Sequence, residues 1–413
     1  MTITDTTIGA TSQTTGQTLD GTDRTETARS LPADNVLEQF RIRAQRADAD
    51  NTYIHDDLAV LRESGYLAAA VPTEFGGWGL DLAEFATLQR RLATYAPATA
   101  LAMTMHTYWI GLAAELERFG DTSCRWLFDE ALAGRIVAAG HAEAGNDAPV
   151  VMSTTVATRV DCGYRFSGRK MFGSNGPVWS LLGVHGIDLS DPEAPMIVHG
   201  FVDRDAAGVT VVPDWDTLGM RPTQSHSTVL DEVFVPDARI ARIVPAGVDE
   251  DLFLFAMNIW ALPIMANVYL GIAERALALA VTSATTKSSV AIPRGTYAHN
   301  PMVQHQIAQM YLELDPAQAV VDRLVDDWVT GVDHGAMWGQ TIVSAKWKAV
   351  EAAKRVVDLA LDVAGGASMM RGNELERLYR DVRAGGFHPA NAALTHETVA
   401  KTLLGIDPAG PRW

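Results

Sequence analysis

Cysteine is almost missing from this chain: Cys124 and Cys162 are the two among 413 residues. Two thiols cannot build a disulfide scaffold, and no CxxC or Cys/His cluster suggests zinc, so no metal site is expected. Both are read as reduced core thiols of a cytoplasmic protein. Positive charge is also scarce. Lys and Arg number 33 against 50 Asp and Glu, a formal charge of −17, and such a field repels phosphate backbones and anionic lipid heads. Binding to nucleic acid or to a membrane surface is therefore disfavoured. No apolar run reaches the roughly 20 residues a bilayer requires; IWALPIMANVYLGIA, Ile259 to Ala273, is broken by Pro263 and Asn267 and reads as a core helix. Nor is there a Rossmann or Walker glycine fingerprint, since EFGGWG has neither the spacing nor a preceding strand. No internal repeat is evident.

What the chain does have is a 47% hydrophobic fraction, ample for a large core, and more length than the roughly 100–200 residues of one domain. Residues 1–34 are Thr-rich and weakly patterned, with no basic stretch leading an apolar run, and read as a disordered tail rather than a leader. Residues 35–139 carry apolar positions at three- and four-residue spacing, as in DLAVLRESGYLAA and LAEFATLQRRLATYA, which predicts a helical domain. PTEFGGWGLD interrupts it as a Gly-rich turn. Residues 140–246 change texture: TTVATRV, YRFSGRKMF, IVHGFV and STVLDEVFVP are short, β-branched or aromatic, and bounded by turn residues, the mark of an antiparallel β-domain. Residues 247–413 return to long helical periodicity over 249–283, 301–330 and 336–364, which suggests a four-helix bundle. The acidic DEDLF reads as a helix start. The fold class expected is α+β, mainly α.

Several local sequences carry a more specific resemblance. LRESGYLAAAVPTEFGGWGLD, GHAEAGNDAP, YRFSGRKMFGSNGP, LGMRPTQSHSTVLDEVFVP, NPMVQHQIAQM and VAGGASMMRGNELERLYRDVRA together resemble the acyl-CoA dehydrogenase superfamily, from about Asn35 to Gly405. The resemblance implies a flavin, FAD or FMN, held between β-domain and bundle, and a homotetramer in which a neighbouring subunit completes each site. Phe172 and Ser174 stand where the family has a stacking Trp and a hydrogen-bonding Thr. Trp215 is a second aromatic candidate. His141 and Ala142 fall at the family's entry into the β-domain, and Gly365 with Gly366 match a pair that approaches a neighbour's cofactor. Taken without the family, Phe172 and Trp215 are more simply core.

The same resemblance shows departures. A dehydrogenase needs a carboxylate to take the substrate's α-proton, and the two places the family puts it fall at Pro389 and Ala261. The Arg-x-x-Phe-Gly motif for the FAD diphosphate is replaced around TTKSSVAIPRG, which leaves Lys287 or Arg294 as phosphate contacts. His106 in AMTMHTYW, Ser174, and His388 in FHP instead resemble the active-site set of the branch that uses reduced flavin and oxygen, to which the dibenzothiophene monooxygenases belong. That chemistry calls for donors near the flavin and exclusion of water, without an obligatory carboxylate.

The expectation is a flavin-dependent oxidoreductase, a reduced-flavin and O2-dependent monooxygenase of a small organic substrate, served by a flavin reductase. His388, His106 and Ser174 are its expected catalytic residues. Two alternatives stand beside it: a dehydrogenase acting on an acyl-CoA with His388 as its base, and a non-catalytic oligomeric binding protein. Arg380 and Asp381 are read as a structural ion pair, and His396 as a surface or capping residue.

Overall fold

The computed structural model describes residues 30–148, 150–248, 250–290 and 295–406; Arg294 and most of the expected tail lie outside them. Five helices come first: α1 (Asp34–Asp50), α2 (His55–Glu63), α3 (Leu82–Tyr95), α4 (Pro97–Arg118) and α5 (Trp126–Leu132). The Gly-rich turn before α3 ends in a capping box: the Asp81 carboxylate accepts from the Glu84 N–H at 2.9 Å, and the Glu84 carboxylate from the Asp81 N–H at 3.1 Å. Two orphan donors are satisfied there, so this stretch is a helix start.

Eight strands follow: β1 (Val137–Gly140), β2 (Val156–Val160), β3 (Gly163–Gly173), β4 (Leu181–Asp188), β5 (Met196–Asp203), β6 (Val209–Val212), β7 (His226–Pro236) and β8 (Ile240–Pro245). They form one sheet in the order β6-β7-β3-β2-β4-β5-β8, with β1 parallel to β4. The sheet is thus mostly antiparallel, and its first strand precedes the boundary expected at residue 140. IVAAG is too short and too uniformly apolar to show a period of two, which is why it reads as the end of a helical segment. The long β3–β7 pair runs from Gly163 opposite Pro236 to Gly173 opposite His226, with a register shift between Lys170 and Gly173. Such a shift bends and re-aims a strand. Here it carries the chain through Phe172 at φ 56°.

The C-terminal helices are α6 (Leu252–Thr286), α7 (Pro301–Val329), α8 (Trp338–Ala364), α9 (Glu374–Arg383) and α10 (Ala392–Leu404). Asp251 caps α6, its carboxylate accepting from the Phe253 N–H at 2.8 Å. α6 is long and apolar enough to cross a membrane by length and composition, but most of its apolar stretch is buried, under α3, α4, α7 and α8. It is the core helix about which the first and last helical segments pack.

Inside the β-domain an ion pair is fully enclosed. Lys170 Nζ lies 2.5 Å from Glu143 and donates to the His185 carbonyl at 2.6 Å. Burial alone raises the Glu143 pKa, but the Lys170 charge and donors from Lys170, Thr155 and the Thr154 N–H win and hold it at about 2. Burial lowers Lys170 to about 8 against the pull of Glu143. Breaking such a pair leaves an uncompensated buried charge. Lys170→Met is therefore expected to cost about 3–5 kcal/mol in urea unfolding. Combining it with Glu143→Gln should recover much of that loss, and a double variant no more stable than Lys170→Met would contradict this account.

Candidate flavin and substrate cavity

A cavity of about 1030 Å³ lies where the sheet, α4, α6 and the C-terminal helices meet. From the sheet side it is lined by Ala142, Phe172, Ser174, Trp215, Thr223 and Ser225, and from α4 by Leu101, Met105 and Tyr108. α6 contributes Ala261 and Met265, and the segment after α9 contributes His388 and Pro389. Backbone outliers gather on this wall: besides Phe172, Met220 has φ 53° and Ala390 φ 57°. Strain of that kind persists only where its surroundings over-determine it.

α9 closes the cavity by tying three parts of the chain together. The Arg380 guanidinium grips Asp48 of α1 at 2.6 and 2.9 Å, holds Glu376 at 2.6 Å and donates to the Leu218 carbonyl at 2.9 Å. Asp381, 1% exposed, accepts from the Met220 N–H at 2.6 Å and lies 3.6 Å from Arg377. The two residues therefore do not form the ion pair expected between them. Successive residues on a helix point about 100° apart, so each reaches a different partner. Gly219 permits the approach: a Cβ there would sit 2.3 Å from the Arg380 carbonyl oxygen.

The loop after α9 is built to present His388. A Cβ on Gly385 would press on the Tyr269 ring and on Val350, each at 2.9 Å. Lys346 of α8, itself buried, donates to the carbonyls of Gly385 at 2.8 Å, Ala390 at 3.2 Å and His388 at 3.4 Å. Asn391 then caps α10 by accepting from the Leu394 N–H. His388 Nε2 is 2.7 Å from the Tyr269 hydroxyl. Burial holds His388 down at about 3, with the Lys346 charge adding to the effect. Burial lifts the Tyr269 phenol well above its ordinary value, so both groups stay neutral at physiological pH.

His106 is not among the residues that line the cavity. It is fully buried, with Nε2 2.9 Å from the Leu67 carbonyl and Nδ1 accepting from the Val137 N–H at 3.2 Å. Both ring nitrogens are consumed in joining α4 to β1 and to the turn after α2. The face of α4 toward the cavity is Leu101, Met105 and Tyr108, spaced four and three apart. Lys287, Gly365 and Gly366 also lie away from this cavity. Lys287 Nζ donates to the Ala364 carbonyl at 2.6 Å, at the C-terminal end of α8. Ile342, on the cavity wall, is roughly 30 Å along the helix from that end. The structure does bring His141, Ala142, Phe172, Ser174, Trp215 and His388 to the lining of this one cavity.

Pro389 and Ala261, the two places where the family resemblance puts a dehydrogenase's base, both line the cavity. The acids on the wall are Asp147, which is exposed, and Glu397, paired with Lys401 of its own helix at 3.0 Å. Sequence reasoning missed Tyr269, Lys346, Thr223 and Ser225. For Lys346 a signal existed: a charge within the apolar stripe Ile342, Ala345, Ala349 of α8.

The residues fit a flavin. Phe172 and Trp215 meet edge to face at 6.0 Å and provide aromatic flanks. Ser174, Thr223 and Ser225 line the same space, and His141 Nε2 is buried without a partner among the described residues. A ring with a polar edge needs such neighbours. The volume leaves room for a substrate beside it.

Helical domain, sheet and bundle around such a cavity define a flavin-dependent oxidoreductase. Residues 22–126 match the model of the acyl-CoA dehydrogenase N-terminal domain and residues 264–392 that of the C-terminal domain. Amino sugar nitrososynthase DnmZ of Streptomyces peucetius is 32% identical over 84% of this chain and 85% of its own length. Dibenzothiophene monooxygenase of Rhodococcus qingshengii is 28% identical over 86% and 88%. The solved structure of KijD3 with FMN and a dTDP-linked amino-keto sugar superposes with a TM-score of 0.76 at 25% identity, covering 93% of this chain and 95% of that one. The chain belongs to the acyl-CoA dehydrogenase superfamily.

Two expectations follow from the buried imidazoles. His106→Leu strands the Val137 N–H and the Leu67 carbonyl, a loss of about 2–4 kcal/mol. His388→Ala exposes only one hydroxyl and should lower the melting temperature far less; equal losses in thermal melts would reverse this assignment. Burial lowers His106 to about 4 and His199 and His388 to about 3, and pushes His141 and His185 well below their ordinary range. Each binds fewer protons folded than unfolded below pH 6.5, so stability falls as pH drops from there toward 3–4. Asp57 and Asp381, raised by burial to about 6, offset part of this between pH 6 and 4. Melts from pH 8 to 4 should show a decline that begins above pH 7, where Lys170 and Lys346, lowered by burial to about 8 and about 7, bind fewer protons folded than unfolded, and that continues below 6.5; a melting temperature that rises over that range would contradict it.

Proposed function

We propose that this chain is a monooxygenase that uses reduced flavin and oxygen to oxidise a small organic substrate bound in the cavity. The observation that carries the reading is the pairing of an empty acid position with a held neutral imidazole: Pro389 and Ala261 line the wall, and His388 beside them is fixed by Tyr269. The activities for which the nitrososynthase and dibenzothiophene monooxygenase relatives are named, and the FMN bound in the KijD3 complex, support it.

Bound reduced flavin supplies the two electrons with which one oxygen atom enters the substrate and the other leaves as water. The chain supplies the surroundings. Phe172 and Trp215, packed edge to face, would give the ring an aromatic surface, and Ser174 would meet its polar edge. Tyr269 occupies His388 Nε2, which leaves Nδ1 to hold or pass a proton on the cavity side. The apolar side chains of Leu101, Met105 and Met265 keep water from the reacting oxygen. The proposal includes a separate reductase that delivers reduced flavin, and a cytoplasmic homotetramer in which Gly365 and Gly366 meet a neighbour's cofactor and Lys287 contacts a flavin phosphate.

The test is an anaerobic titration of flavin-loaded protein with a panel of acyl-CoAs, followed by reduced flavin and oxygen with candidate substrates. Acyl-CoAs should leave the oxidised flavin spectrum unchanged, and oxygenated product should form only with reduced flavin. Bleaching by an acyl-CoA would establish a dehydrogenase instead. His388→Gln should reduce product formation by about 10²–10⁴-fold.

A further inference from the structure

Three hydroxyls on the sheet side of the cavity form a single file. Ser174 Oγ is 2.8 Å from Ser225 Oγ, Ser225 Oγ is 2.7 Å from Thr223 Oγ1, and Thr223 Oγ1 is 2.8 Å from the Met220 carbonyl oxygen. All three residues are at most 5% exposed, and their hydroxyls make no other hydrogen bond among the described residues. A hydroxyl can donate once, whereas a carbonyl oxygen can only accept. The direction of the file therefore follows from its end.

Two oxygens at 2.8 Å repel unless a proton lies between them, and Met220 has none to give, so Thr223 donates to the Met220 carbonyl. Its proton spent, Thr223 can only accept from Ser225. Ser225 in turn can only accept from Ser174. The Ser174 hydroxyl arrives at the cavity with its proton already committed inward and only lone pairs left to offer. Any group that meets it from the cavity must be a donor.

Met220 is not free to turn away. Its N–H is held by Asp381 at 2.6 Å, its backbone is left-handed at φ 53°, and its carbonyl also receives the Thr223 N–H at 3.1 Å and Trp215 Nε1 at 3.3 Å. The carbonyl that sets the direction is thus clamped from both sides.

We propose that the Ser174–Ser225–Thr223 file, oriented by the Met220 carbonyl, makes the site select reduced over oxidised flavin. This rests on the flavin reading above, with Ser174 at the N5 edge. Of the ring's polar atoms, N5 is the one that changes sense there: it accepts when oxidised and bears a hydrogen when reduced. A Ser174 that can only accept pairs with the reduced form and opposes the oxidised one. Thr223 and Ser225 act through Ser174 and are positioning residues.

The experiment compares wild type, Thr223→Val, Thr223→Ser and Ser225→Ala for the dissociation constants of oxidised and anaerobically reduced FMN and for the midpoint potential of bound FMN. Wild type should bind reduced FMN about tenfold or more tighter than oxidised FMN. Thr223→Val and Ser225→Ala each release the Ser174 proton to point into the cavity, so each should erase about tenfold of that preference and lower the bound potential by about 30 mV, the two-electron equivalent. Thr223→Ser keeps the hydroxyl and should behave as wild type. If Thr223→Val does not fold, Ser225→Ala gives the same readout. An unchanged affinity ratio in the folded variants, or a wild type that favours oxidised FMN, overturns the proposal while leaving the flavin reading intact. A wild type that binds neither form overturns both.

Discussion

The anchoring of α9 is the constraint on which the cavity depends. One short helix sends Arg380 to α1 and to the loop before β7, and Asp381 into the Met220 amide. Through Met220 it sets the direction of the hydroxyls that end at Ser174, and through its own C-terminus it launches the loop that carries His388. Both polar walls of the cavity thus answer to one element. Three segments that could otherwise shift relative to one another are locked by charge-assisted hydrogen bonds, stronger and more directional than neutral ones.

The polar groups on and beneath that wall are kept neutral or fully engaged. His388 is held deprotonated by burial and by the nearby Lys346 charge, and Tyr269 keeps its proton. Lys346, lowered to about 7 by burial, spends its three donors on backbone carbonyls instead of on a carboxylate. A buried cation without an acid partner is costly. Here that cost secures a sharp turn through Ala390 at φ 57° and so the placement of one imidazole.

Much of the fold was legible because it is written in local pattern. The starts and ends of α6, α7 and α8 fall within a few residues of their apolar periodicity, and Asp81, Asp251 and Asn391 cap helices through their own side chains. β1 was not legible, since four small apolar residues carry no period and its parallel partner β4 lies more than forty residues away. Phe172, Ser174, Trp215 and His388, which the family resemblance singles out, all line the cavity. His106 could not be placed, because α4 is apolar around most of its circumference and its sequence does not reveal which side meets the cavity.

Sequence alone therefore determined the order of helical and strand segments and the superfamily, because each depends on neighbours close in the chain or on a motif read in line. Tertiary structure decided which residues share a space. The phase of α4, the partners of Arg380 and Asp381, the Lys346 clamp and the direction of the Ser174–Ser225–Thr223 hydroxyls all rest on contacts between side chains and distant backbone. Hydrogen-bond direction is a property of an assembled network, and no single residue in the chain encodes it.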